Sequence, residues 1–419
     1  MHAKTTTLLV VGAGNRGTTY AQYAAQAAGG AKVVGVAEPL ADQRERMVEQ
    51  HVIPREHAFD DWRAAAERDQ FADATIIATQ DAMHTEPAVA FLERGYHVLL
   101  EKPMAPTESE CRCIVAAARA TERIFAVCHV LRYTPVSRKI KQLVDAGAIG
   151  DVVTIDRLEP VGYWHQAHSF VRGHWRNEGA SSFMLLAKGC HDLDWIRFVM
   201  GVPCRSVHSF GSLMHFQRDG KPSEAGDALR CLDCAYEPKC PYSAKKIYLG
   251  RLHQGHTRWP VVTLTNDLTE AGLTRALREG PYGRCVYECD NDVVDHQVVN
   301  MQFEGGRTAS FTMTAFTAHR GRETHICGTR GELFSDDLSI EHTDFLTDCT
   351  KHISVDAAGA SITDGHGGGD RGLFHAFLDA VAHNDPPRIL TGPEETLESH
   401  LMAFAAERSR REHRVVQIS

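Results

Sequence analysis

What the chain lacks narrows the choices first. No apolar run approaches the roughly 20 residues that a membrane-spanning helix requires. Basic residues are not in excess: 45 Lys and Arg stand against 54 Asp and Glu, a net charge of −9. No basic stripe is present, which argues against nucleic acid as a partner, and a mildly acidic balance mainly favours solubility. There is no internal repeat and no low-complexity tract. No leader-like segment precedes the strand-like Leu8-Leu9-Val10-Val11. A cytoplasmic protein with neither membrane nor nucleic-acid partner is therefore expected, and its twelve cysteines read as thiols or metal ligands before disulfides. With 43% hydrophobic residues in a length of 419, two or three domains of ordinary size can each bury a core.

What is present begins with that strand. It runs into Gly12-Ala13-Gly14-Asn15-Arg16-Gly17 and then an Ala-rich helix. Gly12 allows a tight turn, Gly14 lets a pyrophosphate approach the backbone, and Gly17 lets the helix pack closely on the strand. The positive helix end then faces the phosphates. A second strand, 31–37, ends on Glu38, 21 residues after Gly17. An acid there suits ribose hydroxyls and repels a 2′-phosphate, so NAD is expected over NADP. Helices over about 41–49, 86–94 and 108–121 alternate with buried strands at 73–79, 97–100 and 124–130, which predicts a doubly wound parallel sheet. Thr79 and Gln80 then fall in a loop at the carboxyl edge, where ligands bind. So does Glu101-Lys102-Pro103, an acid and a base pinned by proline at the exit of the buried strand His97-Val98-Leu99-Leu100.

Those glycines with Asn15 and Arg16, Glu38, His84 in "ATQDAMH" and above all Glu101-Lys102-Pro103 make the chain resemble the glucose–fructose oxidoreductase / inositol dehydrogenase / MocA family. "LRYTP" (131–135) and "GAIGDV" (147–152) resemble that family's passage into its second domain, and the resemblance covers nearly the whole chain. It implies an N-terminal Rossmann domain, about 1–131. An α/β domain with a large, mainly antiparallel open sheet would follow over 132–419, a surface often used for homo-oligomers, dimers or tetramers. It implies a nicotinamide cofactor, a carbohydrate-like substrate, and often a cis bond before the proline.

Moving a hydride from a carbinol to nicotinamide requires a group to take the hydroxyl proton, and lysine or histidine can do so where the site tunes it. Lys102 is the first candidate. The second lies in "MLLAKGCHDLDWIRFVMG" (184–201), where helical spacing puts His191, Asp194 and Trp195 on one face. The family shows Asp-x-Gly-x-His-x-x-Asp there. This chain has Ala187 in place of the first acid, so His191 and Asp194 carry over and Lys188 becomes a candidate for contacting substrate or Lys102. Histidine titrates near neutrality, which makes His191 the natural proton acceptor. Tyr163, Trp164, His165, His168, Arg172, His174 and Arg176 crowd a loop, 162–179, expected to line the substrate pocket. Rings there would stack on a sugar, and the arginines hint at a carboxylate or sulfonate.

An insertion at about 212–282 carries Cys231, Cys234 and Cys240 as C-x2-C-x5-C, with Cys285 or Cys289 later. A hairpin-like connection has little core of its own, so a closed structural zinc site on Cys231, Cys234, Cys240 and Cys289 is expected, with reduced thiols the alternative. From 295 the pattern alternates with a turn at Gly305-Gly306, and a glycine-rich loop, 364–372, either folds over the site or merely connects. The reading is an NAD-dependent oxidoreductase acting on a ring hydroxyl of a sugar. The rival is an NAD-dependent glycosidase that oxidises the ring transiently and eliminates the glycosidic group, on an anionic glycoside in one version. His165, His168, His174 or Tyr163 would then supply the extra acid/base.

Overall fold

The computed structural model describes residues 5–27, 30–355 and 365–418; Asp364 of the glycine-rich loop lies outside them. Six strands form the first sheet: β1 Thr6–Val11, β2 Ala31–Ala37, β3 Ala58–Phe59, β4 Ala74–Ile77, β5 His97–Leu100 and β6 Phe125–Val127. Their order is β3-β2-β1-β4-β5-β6 and every pairing is parallel. β4 is buried on both faces because helices cover the sheet on both sides, which is why its residues read as a continuous apolar run. The order reverses between β1 and β4, so the crevice for a ligand opens at their carboxyl ends.

The second sheet has nine strands: β7 Val152–Pro160, β8 Cys204–Ser212, β9 His296–Phe303, β10 Thr308–Thr314, β11 Glu323–Gly328, β12 Gly331–Ser335, β13 Ser339–Asp344, β14 Cys349–Ser354 and β15 Val416–Gln417. Their order is β14-β13-β12-β11-β7-β10-β9-β8-β15, and only β7 and β10 pair in parallel. Alternate residues of β9 and β10, such as Val299, Met301, Phe311 and Met313, are buried in a core shared with helix Cys190–Met200. The intervening residues face outward, so one side of this sheet stays open. Gly305 and Gly306 close the β9–β10 turn with φ of 77° and 79°.

Two C-terminal helices tie the halves together. Helix Gly369–His383 puts Phe374 and Phe377 into the first core beside Tyr20 and Tyr23. Helix Pro393–Glu412 gives Leu397 to the first half and Met402 and Ala403 to the second. Its N-cap is Gly392, while the Thr391 hydroxyl sits buried 3.3 Å from the Tyr133 hydroxyl. No described helix is long and apolar enough to cross a membrane.

Between β8 and β9 the chain makes a long excursion with a core of its own, in which Tyr248, Val261, Leu273 and Leu277 pack on Ala167, Val171 and Phe216. The expectation that this segment needs a metal is thereby corrected. Apolar burial holds it, and an arginine occupies the space among its thiols. Arg172 Nη2 lies 3.3 Å from Cys231 Sγ and donates to the Tyr242 carbonyl at 2.8 Å. Among the described residues, no three of Cys231, Cys234, Cys240, Cys285 and Cys289 bring their sulfurs within 4.8 Å of one another. Burial pushes the Cys240 and Cys289 thiols up to about 11. All twelve cysteines are free.

Candidate active site

The turn after β1 places the cofactor side. Gly12 has φ +88°, and a Cβ there would come within 2.6 Å of the Ala78 carbonyl oxygen. A Cβ on Gly17 would sit 1.9 Å from the Gly12 carbonyl oxygen, so the helix can lie this close only with glycine. Gly14 differs: nothing lies within 4 Å of its Cβ position. It caps helix Asn15–Gln26 without a side-chain bond and without an acid in the first turn, so the helix N-terminus faces open space. That space is a cavity of about 410 Å³, lined by Gly14, Asn15, Arg46 and Gln50 and, from the excursion, by Trp259 and Asn266. Buried Glu38 accepts from the Ala13 and Leu40 amides at 2.7 and 2.9 Å, and Ala13 lines the same cavity. An open, donor-rich helix end beside an acid fits a dinucleotide with free ribose hydroxyls.

Other residues expected at the cofactor take supporting positions. Arg16 reaches Glu101 at 2.6 Å and Asp370 at 2.5 Å, pinning helix Gly369–His383 to the nucleotide turn. Burial alone would raise the Glu101 carboxyl, but Arg16 and Lys102 outweigh it and hold it below the ordinary value. Thr79 and Gln80 stay in the loop after β4, with the Thr79 hydroxyl on the Met83 carbonyl at 3.3 Å. His84 is fully buried, and its ring nitrogens face the carbonyls of Pro103 at 2.8 Å and Thr79 at 3.3 Å. It ties the Lys102–Pro103 loop to the loop after β4.

Lys102 precedes a cis proline and spans from the edge of β5 to the second half, where Nζ donates to the Ala187 carbonyl at 2.8 Å. Among the described residues it has no carboxylate within ion-pair distance. His191 stands beside it, 3% exposed, with neither ring nitrogen hydrogen-bonded. Burial, then the charge of Lys102, drives this imidazole well below its ordinary value, so it is neutral. The His129 and His366 rings flank it at centroid distances of 5.6 Å. His366 comes from the glycine-rich segment, whose described part thus runs beside His191.

Lys188 pairs with Glu159 of β7 at 3.1 Å, and Arg322 takes the other oxygen of that carboxylate at 2.7 Å. Burial would raise Glu159; Arg322 and Lys188 instead hold it down at about 2. Arg322 and Arg157 both bind Asp192, which completes a buried network.

The expected loop 162–179 is wound into successive helical turns, Tyr163–Gln166, Ala167–Arg172 and His174–Arg176, and this winding splits its side chains. His165 faces the site: its ring lies 4.9 Å from Trp259 and 5.6 Å from His319, and its Nδ1 is buried without a partner. Burial, then Lys188, His319, His168 and Lys102, push it well below the ordinary value. Trp164 lies beside it, covered by the Arg251 guanidinium at 3.9 Å. Tyr163 packs edge-on to Tyr242 at 6.4 Å, and His174 keeps an unpartnered Nε2 next to Trp175.

Four expected substrate residues face elsewhere. Arg172 is fully buried among carbonyls and thiols, and Arg176 is held by Asp290 at 2.9 Å. His168 is 2% exposed and bonds the Tyr248 hydroxyl at 2.9 Å. Asp194, fully buried, is clasped by Arg132 through two bonds of 2.7 Å. Helical spacing put Asp194 on the face of His191 but did not say that this part of the face meets another helix. Sequence reasoning missed Glu159, Arg322, His319, Trp259, Arg251 and Asp370; the lone strand-end acid in "LEP" was the one signal available.

Comparison with known proteins agrees with this geometry. A profile described as an oxidoreductase family with an NAD-binding Rossmann fold matches residues 6–129, and the C-terminal alpha/beta domain of that family matches 141–418. The Bacillus subtilis protein YteT, named as an oxidoreductase, is 26% identical over 361 residues, covering 81% of this chain and 78% of its own. The NAD(+)-dependent scyllo-inositol 2-dehydrogenase of Bacillus subtilis is 25% identical over 217 residues, 49% of this chain and 57% of that protein. Levoglucosan dehydrogenase, solved with NADH and L-sorbose, shares the fold with a TM-score of 0.75 over 99% of both chains at 17% identity.

Proposed function

The chain belongs to the glucose–fructose oxidoreductase, inositol dehydrogenase and MocA family, and from that premise we propose that it is an NAD-dependent dehydrogenase or reductase of a sugar ring hydroxyl. One observation carries the reading: His191, neutral, buried and unpartnered at both nitrogens, beside the carboxylate-free Lys102. A buried imidazole with no hydrogen bond is costly unless something else supplies the partner, and a substrate hydroxyl does so. Gly12, Gly14, Asn15, Gly17 and Glu38 would hold the cofactor. Bound there, NAD supplies the acceptor for the carbinol hydride.

Lys102 Nζ donates to the hydroxyl oxygen and steadies the charge that builds on it. His191 accepts the hydroxyl proton at a ring nitrogen. His165, Trp164 and His319 form the far wall, with Lys188 held in place by Glu159. The relatives' names, an inositol dehydrogenase and a levoglucosan dehydrogenase, support a polyol or sugar ring as substrate. We assign residues 1–131 to the cofactor and 132–419 to the substrate and, through the open face of the nine-stranded sheet, to self-association. The free cysteines suit the cytoplasm.

The test records two signals at once. Enzyme and NAD meet free sugars and aryl glycosides, with uronic acids included because no carboxylate among the described residues is ion-paired with Lys102. NADH formed in step with substrate loss, without phenol, is the expected result. Phenol release that needs NAD yet accumulates no NADH would replace this reading with the transient-oxidation glycosidase. Lys102→Ala and His191→Asn are each expected to lose about 10²–10⁴ in kcat/KM while still binding NAD.

A further inference from the structure

Outside the active site, one cluster brings three kinds of metal ligand to a point. β11 and β12 are joined by a two-residue turn, Thr329-Arg330, so their ends form a short, tight ribbon. Cys327 lies directly across from Glu332 in the antiparallel register, and His325, two residues earlier, shares their face. The face is the open one, and all three residues are partly exposed. His325 Nε2 is 2.8 Å from Glu332 Oε2 and 3.5 Å from Cys327 Sγ. One ligand atom from each residue lies within 4.8 Å of the others, and no other such trio of His, Cys, Asp or Glu exists among the described residues.

A plain cross-strand ion pair accounts for the first distance. It does not account for a thiol against the same ring, 3.5 Å from Nε2 and 3.9 Å from Nδ1. Tetrahedral zinc suits the second distance: Zn–N near 2.0–2.1 Å and Zn–S near 2.3 Å set those two ligand atoms roughly 3.6 Å apart, and the nitrogen–oxygen pair would open to about 3.4 Å as the ion enters. Charge agrees, since a thiolate and a carboxylate with neutral imidazole balance a divalent cation. We propose that His325, Cys327 and Glu332 bind one zinc-class divalent ion on the open face of the second sheet, with the fourth position directed outward. The mixed nitrogen, sulfur and oxygen donors favour zinc or cobalt over magnesium or calcium. The site is separate from the thiols around Arg172, which do not converge, and it takes no part in the proposed oxidoreductase chemistry. Its pattern is His-x-Cys-x4-Glu, legible only once the strand pairing is known.

Cobalt(II) alone, titrated into the full-length reduced protein, tests this. The expected result is one equivalent per chain with a thiolate-to-cobalt charge-transfer band, displaced by zinc. Cys327→Ser should abolish the band, and His325→Gln should weaken binding by at least about tenfold, since even loss of a supporting partner costs that much. Cys234→Ser should leave both unchanged, and far-ultraviolet circular dichroism shows that each variant is folded. A thiolate band that survives Cys327→Ser, or its absence in a folded parent protein, would overturn the proposal. Dehydrogenase activity is not read, so the two proposals stand or fall separately.

Discussion

Gly14→Ala separates the role of the nucleotide turn from its folding. Gly14 has φ −69° and ψ −164°, a conformation that alanine adopts freely, and its Cβ position is empty to 4 Å. The cofactor-free variant should therefore be as stable as the parent, or more stable by about 0.4–1 kcal/mol through reduced freedom of the unfolded chain. The added methyl occupies the space where a pyrophosphate must touch the backbone. We expect NAD affinity to fall about 100-fold, equivalent to about 2.7 kcal/mol. At NAD equal to a hundred times the parent's Kd, ligand stabilisation of the parent is about 2.7 kcal/mol, and that of the variant shrinks to about 0.4 kcal/mol. Thermal unfolding with and without NAD measures both quantities in one series. Gly17→Ala is the contrast, because its methyl would sit 1.9 Å from a backbone oxygen and must destabilise the cofactor-free protein. A Gly14→Ala variant that keeps the full NAD shift would refute the placement of the cofactor over this turn.

Asp194→Asn leaves the buried Arg132 guanidinium without its carboxylate, so stability should fall by about 3–5 kcal/mol in urea; KM of whatever folds should stay put. A raised KM with intact stability would return Asp194 to the substrate. His129, His168 and His400 are held neutral by burial, at about 4, 3 and 3. They bind protons more readily when unfolded, so their contribution is complete above pH about 6.5 and is lost as pH falls through that window. His129 alone should cost roughly 3 kcal/mol by pH 4. Acid unfolding that begins only below pH 4 would contradict this. Trp259→Ala removes a ring that lines the cofactor cavity and packs on His165. Faster NAD dissociation in stopped flow is expected, and an unchanged off-rate would show that the excursion does not retain cofactor.

Much of the first half was legible because its signals are local. Gly17 answers to a contact within its own turn, Gly12 to the carbonyl after the adjacent strand β4, and Lys102 follows from where a buried strand must end. The second half was less so. Glu159 lies on β7 and Arg322 immediately before β11, neighbours only through a long-range strand pairing, and no spacing rule links them. Arg172 and His168 read as pocket residues from composition, but the helical winding of 162–179 turned them into the core of the excursion. That core, joining Ala167 and Val171 to Leu273 and Leu277, is also why a segment expected to need metal does not.

The missing acid at 187 is the deeper departure. An acid there would stand next to Lys102; instead Lys102 finds a main-chain carbonyl. The acid nearest in function, Glu159, arrives from β7 but is taken by Lys188 and Arg322, and these cations hold it ionised. Negative charge thus sits beside Lys188, while Lys102 and the neutral His191 stand together with no carboxylate among the described residues in ion-pair contact. Such a pair is matched to the oxyanion that forms as a hydroxyl is oxidised: the cation stabilises the charge and the imidazole removes the proton. A substrate bearing its own carboxylate would meet the same ammonium, so neutral and acidic sugars should differ in KM more than in kcat. That difference should shrink with added salt if attraction by Lys102 causes it.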